Sequence, residues 1–120
     1  MKTFVLDERT MQRFTATIFD EARQPIPAKA LDSLTLTLYD RASNSVINNR
    51  NAQNVLNANG VTVDPSGNLA WLMSPADNTI FRSVASETHI ALFEWTYGPR
   101  GAKRGNSQVG FSIRNVQPAA

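Results

Sequence analysis

The chain has no cysteine and one histidine in 120 residues. The first absence excludes disulfides, thiolate zinc sites and cysteine nucleophiles, so stability must come from packing. The second excludes any metal site needing two imidazoles and leaves His89 as the one candidate imidazole base. No stretch approaches the ~18 uninterrupted apolar residues of a membrane-spanning helix. The apolar run near Met1 is too short for a signal peptide and acids follow at Asp7-Glu8, so the expected location is the compartment of synthesis. Charge of one sign is scarce too, with 12 basic against 10 acidic side chains. A nucleic-acid binder would show a larger basic face interleaved with aromatics. The glycines are scattered, and none precedes Lys-Ser or Lys-Thr as a phosphate loop requires.

What is present is a period of two. Hydrophobic residues make up 42% and charged residues 18%, the balance of one globular domain. Leu34-Thr35-Leu36-Thr37-Leu38 alternates leucine against threonine, and Phe14, Ala16 and Ile18 alternate with Thr15 and Thr17. Glu87 to Tyr97 is apolar on both faces, which predicts a central strand. Val109, Phe111 and Ile113 share one face of another, and Val46-Ile47 predicts a short one. Asp64-Pro65-Ser66-Gly67 between Val61-Thr62-Val63 and Asn68 to Met73 predicts a hairpin with a type I turn. Ser74-Pro75-Ala76-Asp77 predicts a short helical turn, with Ser74 as its cap.

About seven short strands with one or two helical turns predict an all-β fold, an immunoglobulin-like antiparallel β-sandwich, with a closed barrel as the alternative. The sandwich is expected over residues 13–116, between an N-terminal arm at 1–12 and a tail at 117–120. The arm looks idle as part of a core; such arms commonly add to a neighbour's sheet edge. Leu34, Leu36 and Leu38 with Trp71, Phe93, Trp95 and Phe111 should supply most of the core.

Chemistry is thin. Glu87 and His89 sit two apart on one strand face, so a carboxylate–imidazole pair is expected. A catalytic use would need a nucleophile such as Ser86 or Ser112, without the motif that usually presents one. Asp64 to Asn68 lacks the acid spacing of a calcium loop. The expectation is therefore no catalytic residue, no cofactor and no metal. Arg100-Gly101-Ala102-Lys103-Arg104 reads as a basic hairpin tip, either solvated or touching a partner.

The stretch "NNRNAQNVLNANG", residues 48–60, is the most unusual. Asn48 or Asn49 can cap a helical turn, Ala52, Val55 and Leu56 are spaced for one helical face, and Gly60 can end it. Arg50 and Asn51 are left to point outward, as candidate partner contacts beside Arg100, Lys103 and Arg104.

Residues 13–116 resemble a family of small proteins of tailed bacteriophages and prophages. The likeness is carried by Ile47 to Leu56, Gly67 to Trp71, Pro75 to Asn78 and Glu87 to Ala91, and in organisation the chain is also similar to the immunoglobulin-like modules at the start of phage baseplate and fibre proteins. It implies a non-enzymatic virion component that binds other virion proteins, namely major capsid, neck or tail subunits. On the particle it would be oligomeric, as a capsid decoration protein or a neck accessory. The alternative is a tail or baseplate module that binds a receptor or host-surface glycan.

Overall fold

The computed structural model describes residues 2–80 and 84–115. Eight strands form two sheets: β1 (Lys2–Asp7), β2 (Gln12–Thr17), β3 (Leu31–Asp40), β4 (Gln53–Asn54), β5 (Val61–Val63), β6 (Asn68–Met73), β7 (Ser86–Tyr97) and β8 (Lys103–Arg114). The larger sheet has the order β1-β8-β7-β3-β4 and the smaller β2-β6-β5. With β2, β6 and β5 in one sheet facing β3, β7 and β8 in the other, this is the immunoglobulin-like arrangement. The fold is an all-β sandwich, and β7 is central in its sheet, as its two apolar faces predict.

The core follows from strand alternation. Leu34, Leu36, Leu38, Trp71, Phe93, Trp95 and Phe111 are all buried. No disulfide pins the sheets together. Trp71, on the small sheet, meets Phe93 and Phe111 of the large sheet edge-on, at 5.7 and 5.9 Å. Such pairs contribute roughly 0.5–1.5 kcal/mol beyond the area they bury.

The predicted hairpin forms as β5 and β6. Asp64 holds its turn, accepting from the backbone N–H of Asn68 and of Ser66 at 2.9 Å each. These donors, that of Asn68 first, pull the Asp64 carboxyl below its usual range. Pro75–Asn78 is a 3-10 turn capped by Ser74, whose backbone N–H donates to Asp77 at 2.9 Å.

Three expectations need correction. Residues 2–7 are not an arm outside the domain: they are β1, paired parallel with β8 from Lys2–Val109 to Asp7–Arg114. Phe4 and Leu6 pack on the core, so the segment is not idle there. This parallel pair is the exception to an antiparallel fold. Val46-Ile47 makes only an isolated bridge, Tyr39 to Val46. The tail at 117–120, with Val116, lies outside the described residues.

The third correction is the asparagine stretch, which is not helical. Asn48, Asn49, Ala52, Asn57 and Asn59 all have φ between 48° and 55°, and Gly60 has φ 90°. Left-handed residues cannot propagate a right-handed helix, and asparagine tolerates this region because its short amide bonds locally. Asn57 accepts from the Val63 N–H at 2.7 Å, and Asn59 donates to the Asn54 carbonyl at 2.7 Å. Between these turns Gln53–Asn54 pairs with β3 as β4, and Val55 is fully buried while Ala52 is exposed. At Gly60 a Cβ would lie 3.1 Å from the Leu72 carbonyl oxygen, so the crossover returns tight against β6.

Candidate functional site

Two polar clusters are buried, and both join residues that the sequence separates. In the first, Asp40 stands directly across the β3–β7 ladder from His89, and Glu87 lies two residues before it on the same face. Their exposures are 0%, 1% and 0% for Asp40, Glu87 and His89. The expected pair forms: His89 Nε2 lies 2.9 Å from Glu87 Oε1. His89 Nδ1 has no hydrogen-bond partner among the described residues. Asp40 accepts from the Ser43 backbone N–H at 3.0 Å and from its hydroxyl at 2.7 Å.

Asp40, Glu87 and His89 are the group of this chain, among the described residues, that could offer a metal three ligand atoms, all within 4.8 Å of one another. Two carboxylates and one imidazole suit a small divalent cation only with a further ligand added. Their burial gives no open position at which a substrate could bind. Both serines considered as nucleophiles lie elsewhere: Ser86 and Ser112 alternate out of register with Glu87, His89 and the core residue Ile113. They occupy the opposite face of the sheet and cannot reach His89.

The second cluster centres on Asp77. Arg50 donates from Nε to Oδ1 at 2.6 Å and from Nη2 to Oδ2 at 3.2 Å. The Asn48 amide donates to Oδ1 at 2.9 Å, and Arg50 Nη1 reaches Gln53 Oε1 at 2.8 Å. The guanidinium lies 5.5 Å from the centre of the Trp71 ring. Side-chain exposure is 6% for Arg50 and 0% for Asp77. Arg50 is therefore not an outward contact for a partner, as expected, but an internal clamp. The left-handed turn at Asn48-Asn49 sends it inward. Chemically the cluster is a closed, bidentate ion pair.

The remaining predicted contacts do not form one surface with it. Asn51 is exposed beside Arg50, whose carbonyl accepts from the Leu38 N–H. The basic tip lies beyond the Leu31–Tyr97 end of the same ladder, roughly 20 Å away at ~3.3 Å per residue. There Arg100 and Arg104 are exposed, and Lys103 is tied to Glu21 at 2.6 Å. The Lys103 ammonium, and after it the Tyr97 hydroxyl, hold the Glu21 carboxyl down at about 2. The same bonds raise Lys103 and Tyr97 above their usual ranges. Nothing in the local sequence signals this triad, whose members lie 76 and 82 positions apart.

Compared with known protein families and with curated proteins, the chain matches none.

Proposed function

We propose that the protein is a non-enzymatic structural module of a bacteriophage particle, held there by contacts with other virion subunits. The observation that carries this reading is the placement of the one histidine. His89 is wholly buried, paired to Glu87, and separated by the sheet from both candidate serines. What the sandwich offers to the outside is strand edges, loop tips and apolar side chains, with Val5 at 62% and Met11 at 60% exposure. Edges and tips are the parts by which β-domains join assemblies. The resemblance to tailed-phage proteins points to a capsid decoration or neck accessory role. Tail and baseplate binding of a receptor or glycan is the competing use of the same surfaces, through the tip at 98–105.

Purified particles test the reading. The protein should co-purify with them, in large multiples if it decorates the capsid and in a small symmetric set if it belongs to the neck. Its absence from washed particles overturns the proposal. Binding of the isolated protein to host cells, lost on deletion of residues 98–105, would transfer it to the receptor-binding class.

A further inference from the structure

We propose that the outer edge of β1, unpaired among the described residues, pairs with β1 of a second copy, in a two-fold antiparallel joint that extends the five-stranded sheet across both molecules. Natural sheets blunt their edges with very short strands, proline, bulges or inward charges. The far edge of this sheet obeys that rule, since β4 has only two residues, and the β5 edge of the small sheet has three. The six residues of β1 contain no proline or glycine, and Thr3-Phe4-Val5-Leu6 contains no charge. Val5, with 62% exposure, stands on its outer face.

The backbone settles which groups are on offer. The Glu8 N–H, just past β1, donates to the Arg114 carbonyl at 3.0 Å. Residues of a strand alternate in the side to which their N–H and C=O point, so Phe4 and Leu6 also face β8. Thr3, Val5 and Asp7 then aim their N–H and C=O away from β8, the Asp7 carbonyl already accepting from the Thr10 hydroxyl at 2.6 Å and keeping its second lone pair. In an antiparallel joint with its axis at Val5, Val5 exchanges both bonds with the partner's Val5, and Thr3 does so with the partner's Asp7. Every outward-facing residue of β1 is used.

Side chains agree with this register. On the core side Phe4 comes opposite the partner's Leu6. Charge favours the antiparallel direction, because it sets the Lys2 end of one strand beside the Asp7 end of the other. A parallel joint would set like ends together. The same rotation turns two hollows mouth to mouth. Beside β1 a hollow of about 410 Å³ opens between the sheets, lined by Phe4, Phe14 and Phe111 and also by Lys2, Gln12 and Arg13. Each copy would shield that of the other.

The absence of cysteine makes the test clean. Antiparallel partners that exchange both bonds have Cα atoms about 5.5 Å apart, inside the disulfide range of about 4.4–6.8 Å. Val5→Cys should cross-link to a dimer under mild oxidation, whereas Thr62→Cys, exposed on the small sheet, should not. Sedimentation of the unmodified chain should show a concentration-dependent dimer. Val5→Lys, at an exposed site that leaves the monomer intact, should weaken it by roughly tenfold or more. A chain that stays monomeric up to about millimolar concentration overturns the proposal, as does a dimer that Val5→Lys leaves intact or equal cross-linking at Thr62→Cys. The proposal does not rest on the virion assignment: a monomer in solution leaves that reading standing, and a dimer does not confirm it.

Discussion

At the scale of residues, Asp77 is the most consequential side chain of the molecule. It is fully buried and takes bonds from Arg50, Asn48 and the backbone of Ser74. Removing one partner of a buried ion pair leaves the other charge uncompensated, at a cost of about 3–5 kcal/mol. Asp77→Ala should therefore lower the unfolding free energy measured by urea titration by that amount, a large part of a typical domain's ~5–15 kcal/mol. Arg50→Met should cost at least about 1 kcal/mol less in the Asp77→Ala background than alone, and additive losses would show that the pair is not coupled. The Glu21 triad behaves differently, because its ion pair is half exposed, at 51% for Lys103 and 59% for Glu21. Its carboxyl is depressed from 4.5 to about 2, so its contribution is complete above 4.5 and is lost as pH falls through about 2. Lys103 and Tyr97 are raised, so their contributions hold below 10.5 and 10.0 and fade as pH rises above those values. Solvent screening keeps the effect on stability small, and the sensitive readout is an NMR titration of Glu21. Its midpoint should lie near 2 and move upward in Lys103→Met; an unmoved midpoint would refute the assigned cause.

At the scale of elements, the 48–60 crossover is stabilised by turns rather than by a helix, and two substitutions should separate these. Asn57 has φ 51° and accepts from Val63. Asn57→Ala should cost about 1–2 kcal/mol, through the lost bond and the less tolerated left-handed residue. Ala52 holds φ 48° with no such side-chain help, and its N–H donates to Thr37 Oγ1. Ala52→Gly keeps that bond and should be neutral or stabilising by up to about 1 kcal/mol in thermal unfolding; a helical crossover would reverse the sign. This stretch shows where sequence reading ends. Asparagine is favoured both as a helix cap and in left-handed turns, so composition alone does not distinguish the two. The period-two strands and the Asp64–Gly67 turn were legible because their signals are local. Strand β1 was not, since its partner β8 lies at the other end of the chain. Arg50 was misplaced for the same reason: Asp77 is 27 positions away. The Glu87–His89 pair was legible because strand alternation places residues two apart on one face, yet nothing local showed that Asp40 would complete the cluster.

At the scale of the molecule, the two sides of the sandwich are unequal. One side is closed by the crossover, where Val55 is buried and the edge strands β4 and β5 are short. The other presents β1 and β2, six residues each, with the Phe4–Phe14 contact between them at 6.0 Å between ring centres. Stability should be graded in the same direction, since local opening is easiest where few buried contacts hold a strand. In native-state hydrogen exchange, amides of β7 and β3 should exchange last, and the paired amides of β1 and β2 before them. Within β1 the pattern should alternate. Phe4 and Leu6 amides, turned toward β8, should be protected at every concentration. Thr3, Val5 and Asp7 amides should exchange at rates near those of free peptide in dilute protein, and slow as concentration rises if the edge is filled by a second copy. In Val5→Lys the alternation should persist while its concentration dependence disappears. Equal protection of all β1 amides in dilute protein would mean that the outer edge is already satisfied within one chain. That result would remove the geometric basis for any strand-to-strand assembly on this side of the molecule.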